Sequence, residues 1–180
     1  MRAPRSDARR SRHRILEAAR TRDLADLRHN DLARAAGVGV ATVYRHFPSV
    51  QALVEALARD ALEQLDTACA EAMATSDPWE ALVGLVDQAL DLQLRNDGVQ
   101  DVLVREAGHT PEVREIVTAI LDRYDAVLRR AHEAGVVHRS VTAHRLKHLM
   151  CGVEHAIRLG VPEDRPALQA ALLRGIRCAG

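Results

Sequence analysis

The sequence predicts an all-α fold of about nine helices, a three-helix N-terminal unit followed by a larger helical one. Three observations carry this. Ala and Leu dominate the 180 residues, while aromatic residues supply only 2%. Ala and unbranched side chains lose little freedom in a helix, whereas strands favour β-branched and aromatic residues. Apolar residues recur at three- and four-residue spacing in nearly every segment, the period of a helix buried on one side. Finally, the breaks hold residues that start and stop helices, among them Asp77-Pro78, Thr110-Pro111, Gly37 and Gly135. An apolar content of 47% is ample for a core and argues against global disorder.

Taken in order, residues 1–6 read as a mobile basic arm, and Ser6 or Asp7 can cap a first helix over roughly 8–22. Its apolar residues are Ile15, Leu16, Ala18 and Ala19, and Leu24 and Leu27 follow in the connection. Asn30 suits the N-cap of a second helix, Asp31 to Ala36, with Gly37 just past its end. A third, short helix runs from about Val40 to His46 and stops at Phe47-Pro48. Ser49 caps a long fourth helix to about Met73, and Asp77 a fifth to about Arg95. Asn96-Asp97-Gly98 breaks the chain before a short sixth helix around Val99–Ala107. The seventh starts at Thr110-Pro111 and carries the stripe Val113, Ile116, Val117, Ile120, Tyr124, Val127 and Leu128 up to Gly135. An eighth from Thr142 to about Leu159 and a ninth from about Glu163 to Arg177 complete the count. No segment reads as a strand. The expected division is 1–48 and 49–180, with the fourth helix joining the two units.

Net charge is zero overall, but residues 1–60 hold 12 Arg against seven acidic residues and the remainder carries the compensating −5. A basic N-terminal third is the footprint expected of a phosphate-binding surface. Lys147 is the only lysine. Cys69, Cys151 and Cys178 are few, odd in number and far apart, so no disulfide framework is expected. There is no membrane-length apolar run and no secretory leader, so the chain is expected to be soluble and cytoplasmic. A Gly-rich phosphate loop, a nucleophile elbow and a metalloprotease motif are all missing, so neither an enzyme nor a bound cofactor is expected.

Residues 30–47 are the informative stretch. Two short helices flank a turn containing Gly37 and Gly39; Leu32, Ala33 and Ala36 face inward, and Val38 and Val43 fill the angle between the helices. Left outside on the second of them are Ala41, Thr42, Tyr44, Arg45 and His46. Hydroxyls, guanidinium groups and helix N-termini position phosphate oxygens, and Arg45 can in addition read guanine O6 and N7. Two of the four aromatic residues in the chain, Tyr44 and Phe47, fall here.

The run from Gly37 to Ser49 resembles the turn and recognition helix of the TetR/AcrR family of transcriptional regulators. Arg14–Ala19 is similar to that family's first helix, Ala52–Leu57 to its fourth, and Asp77–Leu82 to the start of its fifth. The connection after the first helix is shorter than the family norm, Arg20–Asp23 is polar where the family has leucine and an aromatic, and Val50 replaces a common lysine.

The resemblance implies a homodimer, usually a repressor, bound to a palindromic double-stranded DNA operator. Thr42, Tyr44 and His46 would touch the backbone, and Ala41, Val43 and Arg45 would lie near base edges or support them. Asn30 and Gly39 complete the candidate DNA-binding set, and Arg9, Arg10 and Arg12 could contact flanking phosphates in place of the missing lysine. A small-molecule effector would enter a pocket within helices four to seven, with Leu65, Val86, Leu103, Arg105, Ile120 and Tyr124 as candidate lining and His109 as a further polar group. Ordinary packing or surface charge is the alternative for each. The last two helices would pair the subunits.

Two other readings stand beside these. His144, His148, Cys151 and His155 share one helical stripe. Histidines one turn apart can chelate zinc or nickel, but one straight helix cannot close a tetrahedral site over three turns. Packing in a subunit interface is therefore expected of the stripe, and no metal. The rival for the whole chain is a helical small-molecule-binding or protein-interaction module with a degenerate DNA-binding head.

Overall fold

The computed structural model describes residues 4–22, 27–105 and 109–178. They form α1 (Pro4–Arg20), α2 (His29–Ala36), α3 (Val40–His46), α4 (Val50–Ala74), α5 (Pro78–Arg95), α6 (Asp97–Val104), α7 (Pro111–Glu133), α8 (Ala143–Leu159) and α9 (Arg165–Ile176), with a 3-10 turn at Pro162–Asp164. Among the described residues the only strand-like pairing is one antiparallel bridge between Val137 and Arg177. The fold is all-α.

Three helix starts carry the expected side-chain cap. The Ser49 hydroxyl accepts the amide of Ala52 at 3.1 Å, the Asp77 carboxylate that of Glu80 at 2.8 Å, and the Thr142 hydroxyl that of Arg145 at 3.3 Å. Each satisfies one amide that the helix itself leaves unpaired. Gly135, at φ +70°, ends α7 with the Val136 amide donating back to the Ala131 carbonyl at 3.0 Å.

Four boundaries differ from expectation. Helix α1 already runs from Pro4, so residues 4–6 are helical rather than part of an arm, and neither Ser6 nor Asp7 is its cap; proline is tolerated in a first turn because no hydrogen bond is asked of its nitrogen there. Residues 1–3 lie outside the described residues. Arg28, not Asn30, holds the N-cap position of α2: its backbone is extended and its carbonyl accepts the Leu32 amide at 3.0 Å, which puts Asn30 inside the first turn. The break before α6 is a single residue, Asn96, whose amide group donates to the Leu92 carbonyl at 2.8 Å. Helix α9 starts only at Arg165, because the preceding three residues wind as a 3-10 turn.

The long α4 is the axis of the molecule. It packs chiefly against α7 and α5, then α6, and it also touches α1. One continuous core runs from Ile15, Ala19 and Leu27 through Leu53, Leu62 and Leu65 to Leu128, Leu146 and Ile176. Leu27, 1% exposed, is part of this core; Leu24 lies outside the described residues. Arg165 ties α9 to α5 through ion pairs with Asp87, at 2.8 Å, and Asp91. Among the described residues no helix is long and apolar enough to cross a membrane.

Arg130 of α7 closes the far end of α4. Its guanidinium donates to the carbonyls of Ala72 (3.2 Å), Met73 (3.0 Å), Thr75 (2.7 Å) and Ser76 (3.3 Å). A cation at a helix C-terminus satisfies orphan carbonyls and opposes the negative end of the helix dipole. Arg130→Gln is expected to lower the free energy of unfolding by about 1.5–3 kcal/mol, seen as a lower urea midpoint at unchanged slope. An unchanged midpoint would show that water replaces the guanidinium without loss.

Candidate nucleic-acid interface and effector cavity

The turn between α2 and α3 uses its two glycines differently. Gly37 sits at φ +60°, ψ +43°, where a Cβ is disfavoured, and a Cβ there would lie 2.5 Å from the Arg14 guanidinium. The Val38 amide then donates to the Ala33 carbonyl at 2.9 Å, ending α2. Gly39 is in ordinary extended conformation and its carbonyl accepts the amides of Thr42 and Val43 at 2.8 and 3.2 Å. Below the turn, Leu32, Ala33, Ala36, Val43 and Phe47 are all buried. The steep crossing of α2 and α3 is thus set by small residues beneath one left-handed glycine.

What α3 leaves outside is a short polar face. Ala41, Tyr44 and Arg45 are exposed, with Tyr44 at 51%, and Thr42 and His46 are half-buried. The Tyr44 ring lies parallel to that of His29, 4.3 Å between centroids. His29 Nε2 bonds the Phe47 carbonyl at 2.8 Å, so α2 fixes the direction of Tyr44 through one ring. His29 was invisible to sequence reasoning, which put it before the helix. The His46 imidazole is held below its ordinary pKa by partial burial, then by the charges of Arg12 and Arg45.

Arg9, Arg10 and Arg12 belong to α1, not to an extended arm. Arg9 and Arg10 are exposed. Arg12 places its guanidinium 5.3 Å from the Phe47 ring centroid, and Arg14 donates to the Gly37 carbonyl at 3.4 Å. These two cations brace opposite ends of the turn-and-helix unit. Asn30 is exposed in the first turn of α2, and Gly39 is exposed at the start of α3.

Further along α4 is a group that the sequence reading did not single out. Glu55 is 1% exposed, yet its carboxylate is fully engaged. Oε1 accepts from Gln51 Nε2 at 3.0 Å and pairs with His109 Nδ1 at 3.1 Å. Oε2 accepts from the Thr110 amide at 3.0 Å and the Thr110 hydroxyl at 2.6 Å. Burial pushes the carboxyl pKa up, but the bonds from Gln51, Thr110 and His109 outweigh it, and the group lies below its ordinary value. Thr110 therefore spends its hydroxyl on α4 rather than on capping α7. His109 also bonds the Arg105 carbonyl through Nε2 at 3.0 Å.

Beside this cluster is a cavity of about 370 Å³. Leu103, Val117 and Leu121 form its apolar wall, and Arg105, Arg114, His109, His144 and Lys147 line the rest with Thr118. Of the six candidate pocket residues, Leu103 and Arg105 lie here. Leu65, Val86, Ile120 and Tyr124 pack instead in the continuous core, and burial first, then Cys69 and Cys151, pushes the Tyr124 hydroxyl well above its ordinary pKa.

The histidine stripe of α8 divides. His144, His148 and His155 are exposed, the first two meeting edge to face at 5.0 Å. Cys151 turns inward; burial and then Glu154 push its thiol up to about 11, against the opposing pull of Lys147. Among the described residues no three His, Cys, Asp or Glu side chains converge as a metal site.

A helical head with an exposed α3, joined by a long helix to a cavity-bearing body, is an arrangement with known relatives. Residues 15–57 match the family described as bacterial regulatory proteins, tetR family, and residues 77–178 match the C-terminal domain of SbtR-like transcriptional regulators. The chain belongs to the TetR family. It is accordingly a DNA-binding transcriptional regulator, and regulators of this family are not enzymes. An HTH-type transcriptional regulator of Staphylococcus aureus is 26% identical over 97 residues. That match covers 52% of this chain, which spans about half the length (51%) of that curated relative. The crystal structure of a TetR transcription regulatory protein from Mycobacterium vanbaalenii is 29% identical, with a TM-score of 0.50 and coverage of 98% and 100% of the two chains. The TetR family regulator PfmR of Thermus thermophilus is 26% identical, with a TM-score of 0.59 and coverage of 89% and 97%.

Proposed function

We propose that this TetR-family chain is a homodimeric repressor whose grip on a palindromic operator is released by a small molecule. In this reading residues 1–48 form the reading head and residues 49–180 bind the effector and pair the subunits. Tyr44, Thr42 and His46 touch the DNA backbone, Arg45 and Ala41 approach base edges, and Asn30, Gly39, Arg9 and Arg10 lie along the flanking phosphates. Arg12 joins them in this reading, while its guanidinium also packs over Phe47.

One observation carries the release mechanism. The helix that connects directly to the head buries a carboxylate, Glu55, which is held by His109 and Thr110, and His109 lines the cavity. An occupant that moves His109 must strain or break bonds to α4, and so shift the head relative to the body. Pairing through the last two helices is supported by exposed apolar residues there and just beyond α8: Leu149 at 45%, Leu159 at 76% and Val161 at 52%.

The test is titration of the full-length protein with the DNA upstream of its own gene, at several salt concentrations. Two half-sites about one helical turn or a modestly larger interval apart are expected, with affinity falling steeply as salt rises. Equal affinity for random DNA of the same length would remove the reading.

A further inference from the structure

The chemistry of the cavity wall specifies what can occupy it. Lys147 is the only lysine in the chain and is only 7% exposed. Its side chain lines the cavity, and its charge opposes the upward shift of the Cys151 thiol. Glu55 is committed to Gln51, His109 and Thr110; Glu154 gives Oε1 to Arg158, and its buried Oε2 has no hydrogen-bond partner among the described residues. Arg105 and Arg114 line the same cavity, and no carboxylate is among its described lining residues. The same lining includes the aliphatic side chains of Leu103, Val117 and Leu121.

We propose that this cavity takes an amphipathic organic anion, an apolar body bearing one carboxylate, with Lys147 as its counter-ion and Arg105 and Arg114 as flanking cations. The proposal rests on reading the cavity as the effector site. It adds the ligand's charge, its polarity pattern and the residue that selects it. A single compact ammonium on a flexible stem suits one carboxylate in a confined space, where a guanidinium would need a wider planar seat. An occupant so held lies against His109, and its charge reaches Glu55 through that ring.

The experiment uses the full chain without DNA. Straight-chain carboxylates from hexanoate to dodecanoate, and the matching alcohols, are titrated while the melting temperature and tryptophan fluorescence are followed. At least one carboxylate is expected to bind saturably, and its alcohol at least tenfold more weakly. Lys147→Met, which keeps the apolar stem, is expected to melt no lower than the wild type and to bind that carboxylate at least tenfold more weakly. Lys147→Arg is expected to recover part of the loss. Alcohols binding as tightly as carboxylates, no carboxylate binding at all, or undiminished binding by Lys147→Met would each overturn the proposal, as would a large loss of stability in that variant. Because DNA is absent from this assay, failure here is separable from failure of the release mechanism. A carboxylate that binds through Lys147 but leaves operator affinity untouched sinks the release mechanism alone.

Discussion

Glu55→Ala is expected to lower the free energy of unfolding by about 3–5 kcal/mol, a large share of the stability of a small protein. The substitution strands donors rather than merely removing a contact. The Thr110 amide and hydroxyl, and His109, lose an acceptor that is itself excluded from water, and each buried unsatisfied donor carries its own desolvation cost. The pH dependence follows from the direction of the Glu55 shift. A carboxyl whose folded pKa lies below its ordinary 4.5 contributes stability that is complete above that value and is lost as pH falls through the folded pKa. Urea unfolding of Glu55→Gln and wild type should therefore show a gap that is constant near neutrality and narrows on acidification below about pH 4.5. A neutral-pH loss below about 1 kcal/mol for Glu55→Ala would show the cluster to be replaceable by water.

Arg45→Ala is expected to weaken operator binding by about 10- to 100-fold, corresponding to one bidentate base contact of about 1–3 kcal/mol. Arg45 is exposed on α3, and among the described residues it makes no hydrogen bond or ion pair, so its guanidinium is available. The loss should be larger on the operator than on random DNA, because a base contact discriminates and a phosphate contact does not. Glu63→Gln, altering an exposed residue paired with Arg59 on the far part of α4, is the control and should bind as wild type. Equal weakening on both DNAs would reassign Arg45 to the backbone.

The parts legible in the sequence were those written in local chemistry. Gly37 announced a left-handed turn, and Ser49, Asp77 and Thr142 announced helix starts, because a cap acts over three residues. Asn30 misled because cap preference is weak against backbone geometry: the extended residue is Arg28, which no side-chain rule selects. The arm misled similarly, since proline at the start of α1 reads as a boundary only when the residues behind it are not helical. The pocket was the least legible part. Leu65, Val86, Ile120 and Tyr124 occupy positions that face inward, but facing inward does not distinguish a packed core from a cavity wall. Glu55 could have been found. It lies on the same helical stripe as Ala58, Leu62, Leu65 and Cys69, all buried, and a carboxylate there demands partners. Those partners, 54 and 55 residues away, have no local trace.

The clamp that Arg130 places on the end of α4 has a mechanical consequence. With 25 residues, α4 is about 38 Å long, and four carbonyls at its far end are held by one side chain of α7. Under the proposed release mechanism such a rod would pivot rather than slide. With the fulcrum beside Arg130 and the Glu55 cluster near the opposite end, a rotation of about 5° displaces the head by about 3 Å. Loosening the fulcrum would let the rod drift lengthwise and dissipate that stroke, so under the proposed release mechanism Arg130 would set how faithfully a small movement at His109 is delivered to the proposed DNA-binding surface.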